Sequence, residues 1–158
     1  MNAISAPPPK LVAAAPVLPA CPYRGLMPYT EEDAEFFFGR ERDTRLIVNN
    51  LKAYRITVLY GPSGVGKSSV LHAGVLKRMN DAEKESLETF GLREAVVVYC
   101  NNWREDPLAV LGKLIRNGLS TAFPAADLSM PDRLDARSLN AVCEKFQIDI
   151  YLVLDQFE

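Results

Sequence analysis

Three runs of apolar residues divide the chain, and each run is bounded by polar or glycine-containing sequence. They occupy residues 56–60, 95–100 and 148–154. Within each run the apolar residues are nearly continuous rather than alternating with polar ones, which is typical of strands that are covered on both faces. The three runs therefore predict three buried β-strands.

Segments with helical spacing of apolar residues separate these runs. Val70, Leu71 and Val75, for example, recur at the spacing of one helix face. Strands that are separated by helices predict a parallel sheet in an α/β fold. The predicted helices cover residues 40–53, 66–78, 107–119 and 135–146, with a short helix beginning near residue 31 and a polar, partly helical connection over residues 80–93.

The composition narrows the class of protein further. The 158 residues carry 18 Lys and Arg against 20 Asp and Glu, which gives a net charge of -2. This balance lacks the basic excess that binding to nucleic acid or to a membrane surface requires. The 3 cysteines are scattered without the spacing of a disulfide framework or a metal site, which is typical of a reducing, cytoplasmic location.

The first 20 residues differ from the rest of the chain. They contain five of its 11 prolines and one charged side chain, Lys10. This composition predicts a disordered leader, rich in Pro and Ala, over residues 1–20. Residues 21–158 are then expected to form the folded part of the chain.

The most specific motif lies between the first predicted strand and the helix that follows it. Residues 61–68 read Gly-Pro-Ser-Gly-Val-Gly-Lys-Ser, a complete match to the pattern G-x-x-x-x-G-K-S/T. The glycines let backbone N–H groups approach phosphate oxygens, and the positive end of the following helix attracts the same anion. Lys67 is expected to reach the β- and γ-phosphates, and the Ser68 hydroxyl to bind Mg²⁺. The predicted phosphate-binding residues are Gly61, Pro62, Ser63, Gly64, Val65, Gly66, Lys67, Ser68 and Ser69.

The third predicted strand ends in a carboxylate, that of Asp155. In open α/β sheets, ligands lie beyond the carboxyl ends of the strands. Asp155 is therefore predicted to lie near the Mg²⁺ that Ser68 holds, either as a direct ligand or in the second coordination sphere. Glu158 is a candidate for orienting an attacking water, so the predicted catalytic residues are Lys67, Asp155 and Glu158.

Four separated segments, in this order, resemble the novel STAND NTPase family. They are residues 21–26, residues 32–41, the phosphate loop and residues 152–158. STAND proteins are signal-transducing P-loop ATPases related to the AAA+ proteins. In such proteins the Gly-Arg-Glu segment upstream of the phosphate loop lies against the adenine base. The resemblance therefore implies an adenine-side role for Phe38, Gly39, Arg40 and Glu41.

The resemblance also implies a three-layer P-loop NTPase domain with a parallel sheet, incomplete at the C-terminus. In related ATPases a further strand inserts between the phosphate-loop strand and the acidic strand, and any such strand would have to follow Glu158. The implied function is that of an ATP- or ADP-binding switch that uses Mg²⁺, with ATP hydrolysis in a longer chain coupled to signalling or assembly. The implied partners are C-terminal domains or repeat modules and, depending on the nucleotide, further copies of the chain.

Other interpretations stay open. A guanylate-kinase-like nucleotide kinase has a similar phosphate loop, although residues 80–131 lack the Thr-Thr-Arg-x-Pro-Arg type segment with which that family grips its second nucleotide. A truncated, non-catalytic fragment that acts only in interactions is a further alternative, and the missing strand favours it. An ABC transporter subunit is disfavoured because the sequence has no Leu-Ser-Gly-Gly-Gln signature.

Overall fold

The computed structural model describes residues 25–126, 128 and 135–156. The predicted leader and Glu158 lie outside these residues. The elements are, in chain order, a 3₁₀-helix (Glu31–Phe36), α1 (Glu41–Ala53), α2 (residues 67–90), β1 (Ala95–Cys100), α3 (Pro107–Ala122), α4 (Ala136–Phe146) and β2 (Asp149–Leu154). Within the described ranges, no helix has both the length and the apolar character needed to cross a bilayer.

Helix α2 is continuous but contains a π-helical segment. It begins as Lys67–Ser69, widens to a π-helix over Val70–Leu76 and continues as an α-helix over Lys77–Phe90. Gly91 ends it in the left-handed conformation, with φ of 67°. The partly helical character predicted for residues 80–93 is confirmed. The predicted break near residue 78 was wrong, because the polar residues that follow are strong helix formers such as Glu, Lys and Ala.

Strands β1 and β2 form a two-stranded parallel sheet, in which Ala95 is paired with Asp149 and Cys100 with Leu154. Parallel strands need a crossover connection, which α3 and α4 supply. The predictions of an α/β fold and of a parallel sheet are therefore confirmed.

The two crossover helices begin at side-chain caps. The carboxylate of Asp106 accepts a hydrogen bond from the N–H of Leu108 at 3.1 Å, and Pro107 follows it in the first turn of α3. The carboxylate of Asp135 accepts from the N–H of Ser138 at 2.8 Å, and this bond holds the pKa of Asp135 below its usual value. Both starts agree with the sequence prediction.

Helices pack on both faces of this sheet. On one face, Ile47 of α1 and Val75 of α2 belong to a core cluster that includes Val153 of β2. On the other face, Ile115 of α3 and Val142 of α4 pack in a second cluster with alternate residues of both strands. The continuous apolar character of the strands is explained by this double covering.

Residues 56–60, the first predicted strand, pair with neither β1 nor β2. Ile56, Val58 and Tyr60 are 81%, 76% and 89% exposed, whereas Thr57 is half-buried. The prediction of a buried strand was therefore wrong for the described structure. An apolar run forms a β-strand in a sheet only where a neighbouring strand supplies hydrogen-bond partners. The described sheet contains β1 and β2 alone, so residues 56–60 have no such neighbour there.

A glycine permits the close approach of α1 and α2. A Cβ atom at Gly74 would overlap Oγ1 of Thr44 on the facing helix. We expect Gly74→Ala to lower the free energy of unfolding by about 1–3 kcal/mol, because the two helices must then move apart. Urea unfolding measures this change.

The substitution Thr44→Ala removes the overlapping atoms and provides the control. In its background, Gly74→Ala should cost far less than in the wild-type chain, because the two substitutions share one contact. Equal costs in the two backgrounds would show that these side chains do not limit the approach of the helices.

Candidate functional site

The phosphate loop, residues 61–68, leads directly into the first turn of α2. Gly64 and Gly66 have φ values of 80° and 86°, in the left-handed region that favours glycine. Gly66 immediately precedes the helix, and its carbonyl accepts a hydrogen bond from the N–H of Val70 at 2.9 Å. The glycine spacing in the sequence thus corresponds to a real requirement of the backbone.

The ammonium group of Lys67 folds back onto the beginning of this loop. Its Nζ donates hydrogen bonds to the carbonyl oxygens of Gly61 at 2.8 Å and Pro62 at 2.9 Å. The first turn of α2 contains no acidic side chain. A cation in that position opposes the helix macrodipole, and neutral carbonyl groups compensate it only in part. The loop is therefore suited electrostatically to an anion.

Two serines follow Lys67 in the first turn of α2. Ser69 is buried, and its Oγ accepts a hydrogen bond from the N–H of Tyr29 at 3.2 Å. This bond attaches the chain before the 3₁₀-helix to the phosphate-loop helix. Ser68 is half-buried, and its hydroxyl has no hydrogen-bond partner within the described part of the chain. Of the two hydroxyl groups, that of Ser68 is the better placed to meet a ligand.

Arg40, one of the four predicted adenine-side residues, contacts the phosphate loop. Its Nη2 donates a hydrogen bond to the carbonyl oxygen of Val65 at 3.1 Å. Its Nη1 forms an ion pair with Oδ2 of Asp43 at 2.9 Å. The guanidinium group therefore links the start of α1 to the middle of the loop.

Of the other three predicted adenine-side residues, Phe38 and Gly39 precede α1 and Glu41 is its first residue. The N–H of Gly39 donates to Oε1 of Glu41 at 3.1 Å. The pKa of the Glu41 carboxyl is lowered, chiefly by hydrogen bonds from its own backbone N–H and that of Gly39 and to a smaller extent by the charge of Arg45. Phe38 is 78% exposed. No hydrogen bond in the described structure joins these three residues to the loop.

A cavity of about 220 Å³ lies beside the loop and α1. Its walls combine aliphatic side chains with three charged ones, a composition common in small-molecule sites. The sequence analysis did not single out Asp43, Leu46, Leu59 or Tyr60. Leu46 stands out only in the structure, where this apolar side chain is 59% exposed. The lining residues are Arg40, Asp43, Leu46, Ile47, Leu59, Tyr60, Val65, Lys67 and Val70.

Asp155 follows the last residue of β2 and is buried, with 5% of its surface exposed. Its Oδ2 accepts a hydrogen bond from the hydroxyl of Tyr99 at 2.8 Å, and its Oδ1 accepts one from the N–H of Gln156 at 2.9 Å. The backbone of Asp155 is fixed as well. Its carbonyl oxygen accepts a hydrogen bond from Nε1 of Trp103 at 2.8 Å, and its N–H donates one to the carbonyl oxygen of Cys100 at 2.8 Å. The carboxylate is therefore held on both oxygens.

Tyr99 is a member of this site that the sequence analysis missed. Burial, followed by the hydrogen bond to Asp155 and the negative charge of that carboxylate, raises the pKa of the Tyr99 hydroxyl. The ring of Tyr99 also contacts that of His72 on α2, with 4.1 Å between centroids. His72 thus connects α2 to the residues around Asp155.

The predicted site is only partly joined by direct contacts. No hydrogen bond or ion pair connects Asp155 to residues 61–69 within the described part of the chain. The connection runs instead from Asp155 through Tyr99 to His72, which lies one turn after Ser68 on α2. The two predicted metal-binding side chains therefore belong to one sheet face and the helix that covers it.

The donor atoms present suit Mg²⁺. Among the described residues, no cluster of three or more His, Cys, Asp or Glu side chains could hold a metal by itself. Mg²⁺ does not need such a cluster, because it is commonly held by one or two protein oxygens, substrate phosphates and water. The Asp155 carboxylate is buried without an ion pair to any described Lys or Arg, and a buried carboxylate of this kind is suited to a cation.

Comparison with known proteins identifies the family. The profile of the family Novel STAND NTPase 1 matches residues 22–158. The chain belongs to this family. The resemblance inferred from the sequence motifs is thereby confirmed. The matched range contains both the phosphate loop and Asp155.

A curated relative matches a shorter part of this STAND family member. The chain is 48% identical over 52 residues to the phosphate import ATP-binding protein PstB of Prochlorococcus marinus subsp. pastoris. That match covers 33% of this chain and 19% of PstB, so it spans only a fraction of the relative's length. The comparison with solved structures found no significant match to the chain.

The left-handed glycine before α2 gives a test of the loop geometry. We expect Gly66→Ala to lower the free energy of unfolding by about 1–2 kcal/mol without any ligand, because a Cβ atom disfavours φ near 86°. Ser63→Ala, in the same loop at a residue without positive φ, is the matched control and should change the value by less than about 0.5 kcal/mol. Urea unfolding of both variants measures these free energies. A free energy of unfolding that Gly66→Ala leaves unchanged would contradict the described turn.

Proposed function

We propose that this chain binds an adenine nucleotide with Mg²⁺ at the phosphate loop, as the nucleotide-binding part of a STAND-type molecular switch. The observation that carries the proposal is the loop itself: left-handed glycines lead into α2, where the described partners of Lys67 are backbone carbonyl groups. An anion would complement both the helix N-terminus and the lysine. The family's description as an NTPase and the name of PstB, an ATP-binding protein, support a nucleoside triphosphate.

Each polar group of the site has a proposed task. The loop N–H groups bind phosphate oxygens, and Lys67 exchanges its carbonyl partners for the β- and γ-phosphates. The Ser68 hydroxyl and the Asp155 carboxylate hold Mg²⁺, which when bound neutralises phosphate charge. Glu158 is proposed to orient the attacking water in the hydrolytic form of the protein.

The cavity beside the loop is the proposed position of the base. Leu46, Leu59 and Tyr60 give it apolar walls, and a planar base gains most from such surfaces. Arg40 lines this cavity and also bonds the loop carbonyl of Val65. A base that contacts Arg40 in this cavity would therefore also affect the phosphate loop, through the bond of Arg40 to Val65.

The surrounding domain is proposed to be a three-layer P-loop NTPase with a sheet larger than β1 and β2. In residues 56–60 the exposed positions Ile56, Val58 and Tyr60 alternate with the less exposed Thr57 and Leu59, the period of a strand. The hydroxyl of Thr57 is buried without a described hydrogen-bond partner. A strand beside this segment would complete its pairing. Residues 21–158 would then be the N-terminal part of the domain, preceded by the leader over residues 1–20.

In the whole protein we propose that Mg²⁺-dependent ATP hydrolysis is coupled to signalling or assembly in the cytoplasm. Its partners would be C-terminal domains or repeat modules and, depending on the nucleotide, further copies of the chain. These features rest on the family resemblance.

A non-catalytic interaction fragment is the second candidate function. The exposed apolar face of residues 56–60 favours it, because a face of this kind is suited to binding another polypeptide. Under this alternative the phosphate loop would be formed but would take no nucleotide in the present chain.

Thermal unfolding with Mg²⁺ and either ATP, ADP, GTP or GMP tests the proposal. We expect adenine nucleotides at a hundredfold excess over Kd to stabilise the chain by about 2.7 kcal/mol. Lys67→Ala should abolish the shift because it removes the cation that meets the phosphates. Lys84→Ala is the matched control, since Lys84 lies on α2 with its side chain 75% exposed, and it should leave the shift intact.

Two other results would reject the proposal. Stabilisation by GMP alone would favour the guanylate-kinase-like alternative. A cooperative transition that none of the four nucleotides moves would leave the interaction fragment as the better description.

A further inference from the structure

The hydrogen bond between Tyr99 and Asp155 joins two strands at the carboxyl end of the sheet. The donor and acceptor are separated by 56 residues in sequence. Tyr99 is paired with Val153 in the β1–β2 register. Asp155 lies two residues beyond Val153, so side-chain alternation puts it on the same sheet face as Tyr99. The tyrosine hydroxyl reaches along this face to the carboxylate.

The two oxygens of Asp155 are held in different ways. Oδ1 accepts from the N–H of Gln156, a bond within one local turn. That turn is strained, because Gln156 has a positive φ of 53°. Oδ2 accepts from Tyr99, which is the described side-chain partner from outside the turn. The direction of the carboxylate relative to the rest of the sheet therefore depends on the tyrosine hydroxyl.

The ring of Tyr99 is itself positioned by the phosphate-loop helix. His72 contacts it with 4.1 Å between ring centroids and a 56° angle between the planes. His72 lies in the π-helical segment Val70–Leu76, immediately after the first turn of α2. π-Helical turns are uncommon and occur frequently at functional sites. The helix that begins at the phosphate loop thus touches the residue that holds Asp155.

Core packing alone does not explain the bond between Tyr99 and Asp155. Tyr151 lies on the same sheet face and packs against the same core cluster as Tyr99. Tyr151 does not bond Asp155, although both tyrosines bury an aromatic ring. Packing accounts for the two rings, and the additional feature of Tyr99 is a hydroxyl directed at a buried carboxylate.

We propose that Tyr99 is a positioning residue for the Mg²⁺–nucleotide site, supported by His72. Its hydroxyl holds the Asp155 carboxylate in the direction needed to meet Mg²⁺. The carboxylate has about four acceptor positions, and the two described bonds leave others for a metal or its water. The inference rests on the proposed function, because it assigns a role toward the ion that accompanies the nucleotide.

The test is a Mg²⁺ titration of nucleotide binding by Tyr99→Phe, which removes a single oxygen atom. Binding of a fluorescent, non-hydrolysable ATP analogue is measured in EDTA and then at increasing Mg²⁺ concentrations. We expect the Mg²⁺ concentration for half-maximal effect to rise about tenfold or more, the usual cost of losing an outer-shell partner of a metal ligand. The affinity in EDTA should stay within about twofold, because the loop and Lys67 are unchanged.

Tyr151→Phe is the matched control, since it removes the same atom from the same sheet face. It should leave the Mg²⁺ dependence as in the wild-type chain. His72→Ala, which removes the ring that supports Tyr99, should shift the Mg²⁺ dependence in the same direction as Tyr99→Phe. The thermal midpoint of each variant is recorded without ligand, so that a loss of folding is distinguished from a loss of positioning.

The outcomes separate this inference from the proposed function. A wild-type chain that binds no nucleotide would overturn both. A wild-type chain that binds with a Mg²⁺ response, accompanied by Tyr99→Phe with the same response, would overturn only the role of Tyr99. Equal weakening in EDTA and in Mg²⁺ would mean that the tyrosine supports the fold rather than the metal ligand, which also overturns the inference.

Discussion

Parallel strands end at the same edge of a sheet, and in this chain the pairing of β1 with β2 brings together groups that are distant in sequence. Tyr99 and Asp155 meet because the register aligns Tyr99 with Val153. Helices cover both faces of this sheet, and α2 lies on the face that carries these side chains. The fold therefore determines where the buried carboxylate lies relative to the phosphate-loop helix.

The positive charge at the phosphate loop is compensated only in part by the described groups of the protein. Lys67 brings a full positive charge to the positive end of a helix, and carbonyl oxygens are its described partners. The buried carboxylate of Asp155, whose partner Tyr99 contacts His72 of α2, has hydrogen bonds but no described ion pair. A cation and a buried carboxylate that each lack a described ion pair are complementary to a ligand that carries both charges. A nucleotide with Mg²⁺ is such a ligand.

The sequence predicted the parts of this structure that depend on local chemistry. The glycines of the loop, the helices that begin at Pro107 and next to Asp135 and the two paired strands all follow from residue type and spacing. The full length of α2 was missed because its second half is polar, and polarity distinguishes helix from loop poorly. The Tyr99–Asp155 bond was missed because it depends on strand register, which apolar runs do not specify.

Residues 56–60 show why pairing cannot be predicted from an apolar run alone. Their composition is that of a strand, yet a ladder is a property of two segments, and the described sheet offers no neighbour to this one. The segment continues directly into Gly61, the first residue of the phosphate loop. Any polypeptide that pairs with residues 56–60 would therefore also restrict the loop.

Thermodynamic linkage makes this relation reciprocal. If pairing beside residues 56–60 orders the loop and raises its affinity for nucleotide, then bound nucleotide must strengthen the pairing by the same factor. The coupling needs no long pathway, because the exposed segment and the loop are continuous in sequence.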